Sequence, residues 1–128
     1  MMRQILDTNI IVRFIVGGGG DEYDRALKIM DQIEKRAVHG EISILVINEI
    51  LWVLKNFYSL DKRTFIPVLL RLLSMSNITC IEVSNRVVID ALLLMKEKNL
   101  DFTDAYLVQI GKKETVLTFD KRLKKLLR

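Results

Sequence analysis

Arg3-Gln4-Ile5-Leu6-Asp7-Thr8-Asn9 is a short apolar run that stops on an acid and two small polar residues. Runs of the same kind, apolar or β-branched and a few residues long, recur at Ile42–Val46, Ile78–Val83 and Thr115–Phe119. Between them the apolar spacing turns helical. The stripes are Ala26, Met30, Ile33 and Ala37; then Ile47, Ile50, Leu51, Leu54 and Tyr58; then Phe65, Val68, Leu69, Leu72 and Leu73; then Val87, Val88, Ala91, Leu92 and Met95. Each keeps the i, i+3, i+4, i+7 rule. Short strands alternating with helices predict βα units and a parallel sheet with helices on both faces.

Boundary signals refine this picture. Ser84 and Thr103 each precede a periodic apolar segment and are predicted as N-caps. Pro67 fits if Thr64 caps its helix, since proline then falls in the first turn; Asp61 is the other candidate start. Lys121–Arg128 carries five bases and one apolar side, and is predicted as a short docked helix. His39, followed by Gly40, reads as a helix C-terminal residue beside the negative end of the dipole.

Composition bounds the chemistry. The 128 residues predict one domain over 1–128, and half of them are hydrophobic, enough for a real core. One proline and six glycines, four of them in Gly17–Gly20, argue against an all-β sandwich. With one cysteine, Cys80, and one histidine, His39, a disulfide scaffold, a Cys-ligated zinc site and a multi-His metal site are excluded. Any metal chemistry must rest on oxygen ligands. No apolar run approaches the roughly 20 residues of a membrane helix. Ile5–Leu6 is too short for the core of a signal peptide, so a cytoplasmic location is expected.

Ligands of open parallel sheets bind at the carboxyl ends of the strands. Asp7 ends the first strand run and Asp120 follows Thr115–Phe119. Glu49 lies in the first helical turn after Ile42–Val46, and Asp104 begins the helix that Thr103 is expected to cap. Each acid has an ordinary role available, as a turn former or as a complement to a helix dipole. Gathered on one sheet edge, four acids repel one another and raise one another's pKa. A hard divalent cation removes that penalty, and Mg²⁺ or Mn²⁺ takes carboxylate and water oxygens while leaving positions open for phosphate.

In order along the chain stand Asp7-Thr8-Asn9 with Ile10–Phe14, then Ile47-Asn48-Glu49-Ile50-Leu51, Phe102-Thr103-Asp104-Ala105 and Thr118-Phe119-Asp120. This pattern resembles the PIN domain and, within it, the VapC-type toxins of prokaryotic toxin–antitoxin pairs. The resemblance runs from Met2 to about Leu126. It implies an α/β/α sandwich with a central parallel sheet of four to five strands, acting as a metal-dependent ribonuclease. Asp7, Glu49, Asp104 and Asp120 match the four acidic positions, as catalytic residues and ligands of Mg²⁺ or Mn²⁺. Thr8, Asn9 and Thr118 match supporting polar positions. Arg13 matches a basic position, for a phosphate contact or a salt bridge. Asp101, three residues before Asp104, either faces the same site or helps to cap that helix. The glycine run departs from the shorter polar loop of relatives.

The implied partners are an RNA substrate, an antitoxin protein and a second copy of the chain in a homodimer. Leaving the four acids aside, 20 bases face 12 acids, a balance that suits a polyanion. Trp52, Phe57 and Tyr58, at helical spacing, are expected in core or interface. Other readings are weighed on the same residues. The chain could be a PIN-like RNA-processing nuclease outside toxin–antitoxin pairs, or a PIN-like binding module without activity. A nucleotide binder is disfavoured because Gly17–Gly20 follows a helical segment, precedes acids and lacks Gly-Lys-Ser/Thr. A phospho-acceptor domain would want an acidic pair after the first strand and a lysine after the last.

Overall fold

A computed structural model describes residues 2–127, which divide into two compact units, 2–85 and 86–127. The first unit holds β1 (Met2–Ile5), α1 (Thr8–Val16), α2 (Asp21–Glu34), β2 (Val38–Ile42), α3 (Ile44–Trp52), a π-helical turn (Val53–Phe57), α4 (Lys62–Leu73) and β3 (Ile78–Cys80). Its strands form one parallel sheet in the order β1-β2-β3. Ile5 stands opposite Glu41, and Ile42 opposite Cys80. Helix α1 packs on α2 and α3.

The core follows the helical stripes. Ile11, Ile33, Ile47, Ile50 and Phe65 are each at most 1% exposed, and burying side chains of this size contributes about 1.5–3 kcal/mol apiece. Gly40 in β2 admits close neighbours: a Cβ there would lie 3.2 Å from the side chains of both Leu6 and Ile33. Two amides, buried Asn77 and half-buried Asn85, tie the elements. Asn77 donates to the carbonyls of Ile33 and Val38. Asn85 accepts from the Cys80 N–H at 2.8 Å and donates to the carbonyls of Leu73 and Ile78. Gly17 ends α1 at φ 72°, a left-handed value that glycine takes freely.

Helix α5 (Asn85–Glu97) starts at the boundary, and the second unit continues with α6 (Phe102–Ile110) and α7 (Lys121–Leu126). Val88, Ala91, Leu92 and Met95 of the predicted stripe are buried, as is Leu123 of α7. Helix α6 packs on α7. No helix among the described residues is long and apolar enough to cross a membrane.

Several sequence expectations are corrected. The sheet has three strands among the described residues, not four to five. Thr115–Phe119 forms no strand. Leu117 and Phe119 are 92% and 100% exposed, and β-propensity makes no strand without a partner to pack and pair with. The Ile42–Val46 run is mostly helix, because Ser43 caps α3 and its side chain accepts from the Leu45 N–H at 3.1 Å. The strand lies upstream, in Val38–Ile42, where buried and half-buried residues alternate. His39 therefore sits in a strand rather than at a helix end. Its Nε2 is 3.0 Å from Thr79 Oγ1. Of the two candidate starts of α4, Asp61 is the cap, which places Pro67 in the helix interior. Asp101, not Thr103, holds the N-cap position of α6. Arg128 of the predicted terminal helix lies outside the described residues.

Candidate acidic site

Asp7 leaves β1 and caps α1, its Oδ1 accepting the Thr8 N–H at 2.8 Å. A carboxylate is favoured there by the unpaired N–H groups and the positive end of the helix dipole. Thr8 is buried, 5% exposed, and its hydroxyl donates to Glu49 Oε1. Thr8 thus contacts both acids, one through its backbone and one through its side chain. Glu49 lies on α3 in the second turn rather than the first, because the helix begins at Ile44.

Glu82, which no sequence motif marks, steadies α3. Its two carboxylate oxygens accept from Ser43 Oγ and the Ile44 N–H, both at 2.7 Å. Those two hydrogen bonds, the backbone one foremost, hold its carboxyl below the usual glutamate range. The only local signal was Ser43 ahead of an apolar run. Nothing near Glu82 in sequence marks it as that cap's partner.

Asn9 and Arg13 stand further along α1. Arg13 Nε is 3.9 Å from Glu22 Oε2, a salt bridge.

The second unit holds the other acids. Asp104 is half-buried in the first turn of α6. Desolvation raises its carboxyl above the ordinary aspartate value; Asp101 and Asp120 raise it further, and Arg122 opposes them. Asp101 is exposed, and its side chain makes no capping hydrogen bond. Asp120 caps α7, with Oδ1 accepting from the N–H groups of Arg122 and Leu123 at 2.9 and 3.0 Å. Thr118 Oγ1 in turn accepts the Asp120 N–H at 3.0 Å.

The structure thus joins Asp7, Thr8 and Glu49 in one unit, and couples Asp101, Asp104 and Asp120 in the other. Among the described residues no group of three or more His, Cys, Asp or Glu side chains is gathered closely enough to hold a metal ion. The donors are nonetheless oxygens throughout, the set that suits a hard cation retaining several waters. Asp104 also carries the mutual acid repulsion that such a cation relieves.

A family model, the PIN domain, matches residues 5–127. The chain belongs to the PIN domain family. PIN domains are generally nucleases that act on RNA or other nucleic acid and usually use divalent metal ions. No curated protein and no solved structure gives a match.

Proposed function

We propose that the chain is a metal-dependent endoribonuclease that hydrolyses RNA phosphodiester bonds. Asp7, Glu49, Asp104 and Asp120 are the acids on which cleavage depends, with Asp101 as a further candidate ligand and Mg²⁺ or Mn²⁺ as the metal. The observation that supports this most is the Thr8 bridge. Buried Thr8 contacts two acids of the first unit, the α1 cap Asp7 through its backbone N–H and Glu49 of α3 through its hydroxyl. A merely solvated glutamate has no need of a buried donor.

A divalent cation bound by such acids supplies charge neutralisation at phosphate and acidifies water. The chain's own groups do the positioning. Thr8 orients Glu49, and the α1 N-terminus holds Asp7 Oδ1, leaving Oδ2 without a donor among the described residues. The Asp120 Oδ1 is held likewise at α7.

In this reading the protein is the cytoplasmic toxin of a toxin–antitoxin pair, a homodimer bound by its antitoxin. The exposed apolar side chain of Leu45 on α3 is available to protein partners. The test is cleavage of single-stranded RNA. Activity should vanish with EDTA and return with Mg²⁺ or Mn²⁺. Cleavage that survives exhaustive chelation overturns the mechanism. RNA binding with no cleavage under any metal favours the binding-module reading instead.

A further inference from the structure

The first unit carries a cleft that the acids do not use. It has a volume of about 410 Å³, with walls that include Asn9, Arg13, Glu22, Trp52, Phe57 and Tyr58. Trp52 and Phe57, expected in core or interface, lie outside the core, 62% and 74% exposed. In a regular α-helix residues five apart point about 140° away from each other. The π-helical turn Val53–Phe57 winds more slowly, and both rings line one cleft. Tyr58 braces the Phe57 ring edge-on, with centroids 5.0 Å apart. Across the cleft stands Arg13, whose pair with Glu22 is long and solvent-exposed and costs little to open. Asn9 adds an amide.

We infer that this cleft receives an unstacked base of a single-stranded RNA, sandwiched by Trp52 and Phe57, with Arg13 on the adjoining phosphate. The inference rests on the ribonuclease reading and names a subsite for its substrate. Three observations favour a base over a protein segment. Flat rings are exposed beside a cation and an amide, the combination that grips single-stranded nucleic acid by stacking and charge. Both walls are continuous with the candidate acids: Asn9 follows Asp7 by two residues on α1, and Trp52 follows Glu49 by three on α3. Along α3 that step is only about 4.5 Å. With the four candidate acids set aside, 20 bases face 12 acids in the rest of the chain.

Trp52 is the sole tryptophan, so its emission reports the cleft directly. The Asp7→Asn chain is titrated with a single-stranded oligoribonucleotide in Mg²⁺, and with the duplex of the same sequence. Saturable quenching by the single strand and none by the duplex is expected. In the otherwise unaltered chain, Trp52→Ala and Phe57→Ala should raise KM for single-stranded RNA about ten- to a hundredfold, with kcat within about twofold. Trp52→Phe should restore most of the affinity. Arg13→Gln should lessen the salt dependence of binding by about one phosphate contact. If the chain cleaves RNA while neither quenching nor a KM change is found, the base subsite is overturned and the nuclease reading stands. If the single strand quenches Trp52 and no cleavage occurs, the subsite stands and the nuclease reading falls. Emission that shifts with protein concentration alone shows that a second copy covers the cleft, and overturns the inference.

Discussion

The Thr8 hydroxyl donates to the Glu49 carboxylate from 41 positions away in sequence, joining the first residue of α1 to the middle of α3. That contact makes Thr8 a positioning residue for an acid it does not resemble chemically. Thr8→Val keeps the buried shape and removes the donor. In outer-shell partners of metal ligands such losses typically cost about 10- to 100-fold in activity or metal affinity. Thr8→Val should therefore shift the Mg²⁺ midpoint for cleavage upward by that order, while Thr8→Ser stays near the parent. An unchanged Mg²⁺ titration would separate Thr8 from the site.

The acids themselves should split activity from stability. Asp7→Asn, Glu49→Gln, Asp104→Asn and Asp120→Asn should each reduce cleavage by about a hundredfold or more. Asparagine caps helices nearly as well as aspartate, so Asp7→Asn and Asp120→Asn should melt close to the parent. Asp101→Asn should have a smaller effect on cleavage. Asp31→Asn, which breaks only an exposed pair with Lys35, should have almost none. Parallel melting and cleavage measurements check this. A variant that melts low yet cleaves normally per folded molecule would mark its acid as structural.

Asp104 carries a pH signature. Its folded carboxyl titrates above the ordinary 3.8, so its stabilising share is complete below that value and is lost as pH rises through the folded value. In EDTA, the melting temperature of the parent should fall relative to Asp104→Asn over that rise. Parallel profiles would show that neither burial nor the repulsion from Asp101 and Asp120 raises this carboxyl.

Glu82 runs the other way. Its folded carboxyl lies below the ordinary 4.5, held first by the Ile44 N–H and then by the Ser43 hydroxyl. Its contribution is present above 4.5 and is lost as pH falls through the lowered value. Glu82→Ala should cost about 1 kcal/mol near neutrality, the usual scale of a helix cap. The difference from the parent should shrink in acid, as melting or chemical denaturation can record.

Cys80 should be a poor nucleophile. Burial, aided by the Glu82 charge, pushes its thiol from 9.0 up to about 11. At pH 8 the thiolate fraction is then about a hundredfold below that of an unperturbed thiol. Alkylation by iodoacetamide should be slower by that order in the folded protein and normal in denaturant. Rapid labelling of the native chain would contradict it.

The sequence made the helices legible because burial and period coincide there. Ile47, Ile50, Leu51 and Leu54 were a stripe in sequence and are a buried face in the fold. Strands were harder to read. Ile42–Val46 satisfies β-propensity, and only the Ser43 cap, reinforced by distant Glu82, turns it into helix. Val38–Ile42 contains His, Gly and Glu and signals no strand until its neighbours are known. Asp7, Glu49, Asp104 and Asp120 stood out singly as acids at segment ends. The Thr8 bridge, the Glu82 cap and the aromatic cleft did not. Each depends on a contact between distant segments or on the π-helical turn, and no local pattern encodes either.

The Gly17–Gly20 connection has a further consequence. All four residues have φ between 72° and 97°, so the link from α1 to α2 is written in the mirror-image half of backbone space. At Gly18, Gly19 and Gly20 no atom stands within 4 Å of where an L-side chain would begin. Handedness alone, not crowding, therefore excludes ordinary residues there, at about 1–2 kcal/mol per site. A chain assembled by chemical ligation with D-alanine in this segment would match the native backbone hand and lose fewer unfolded conformations than glycine does. Glycine, which has no stereocentre, is what lets an otherwise L chain take this hand.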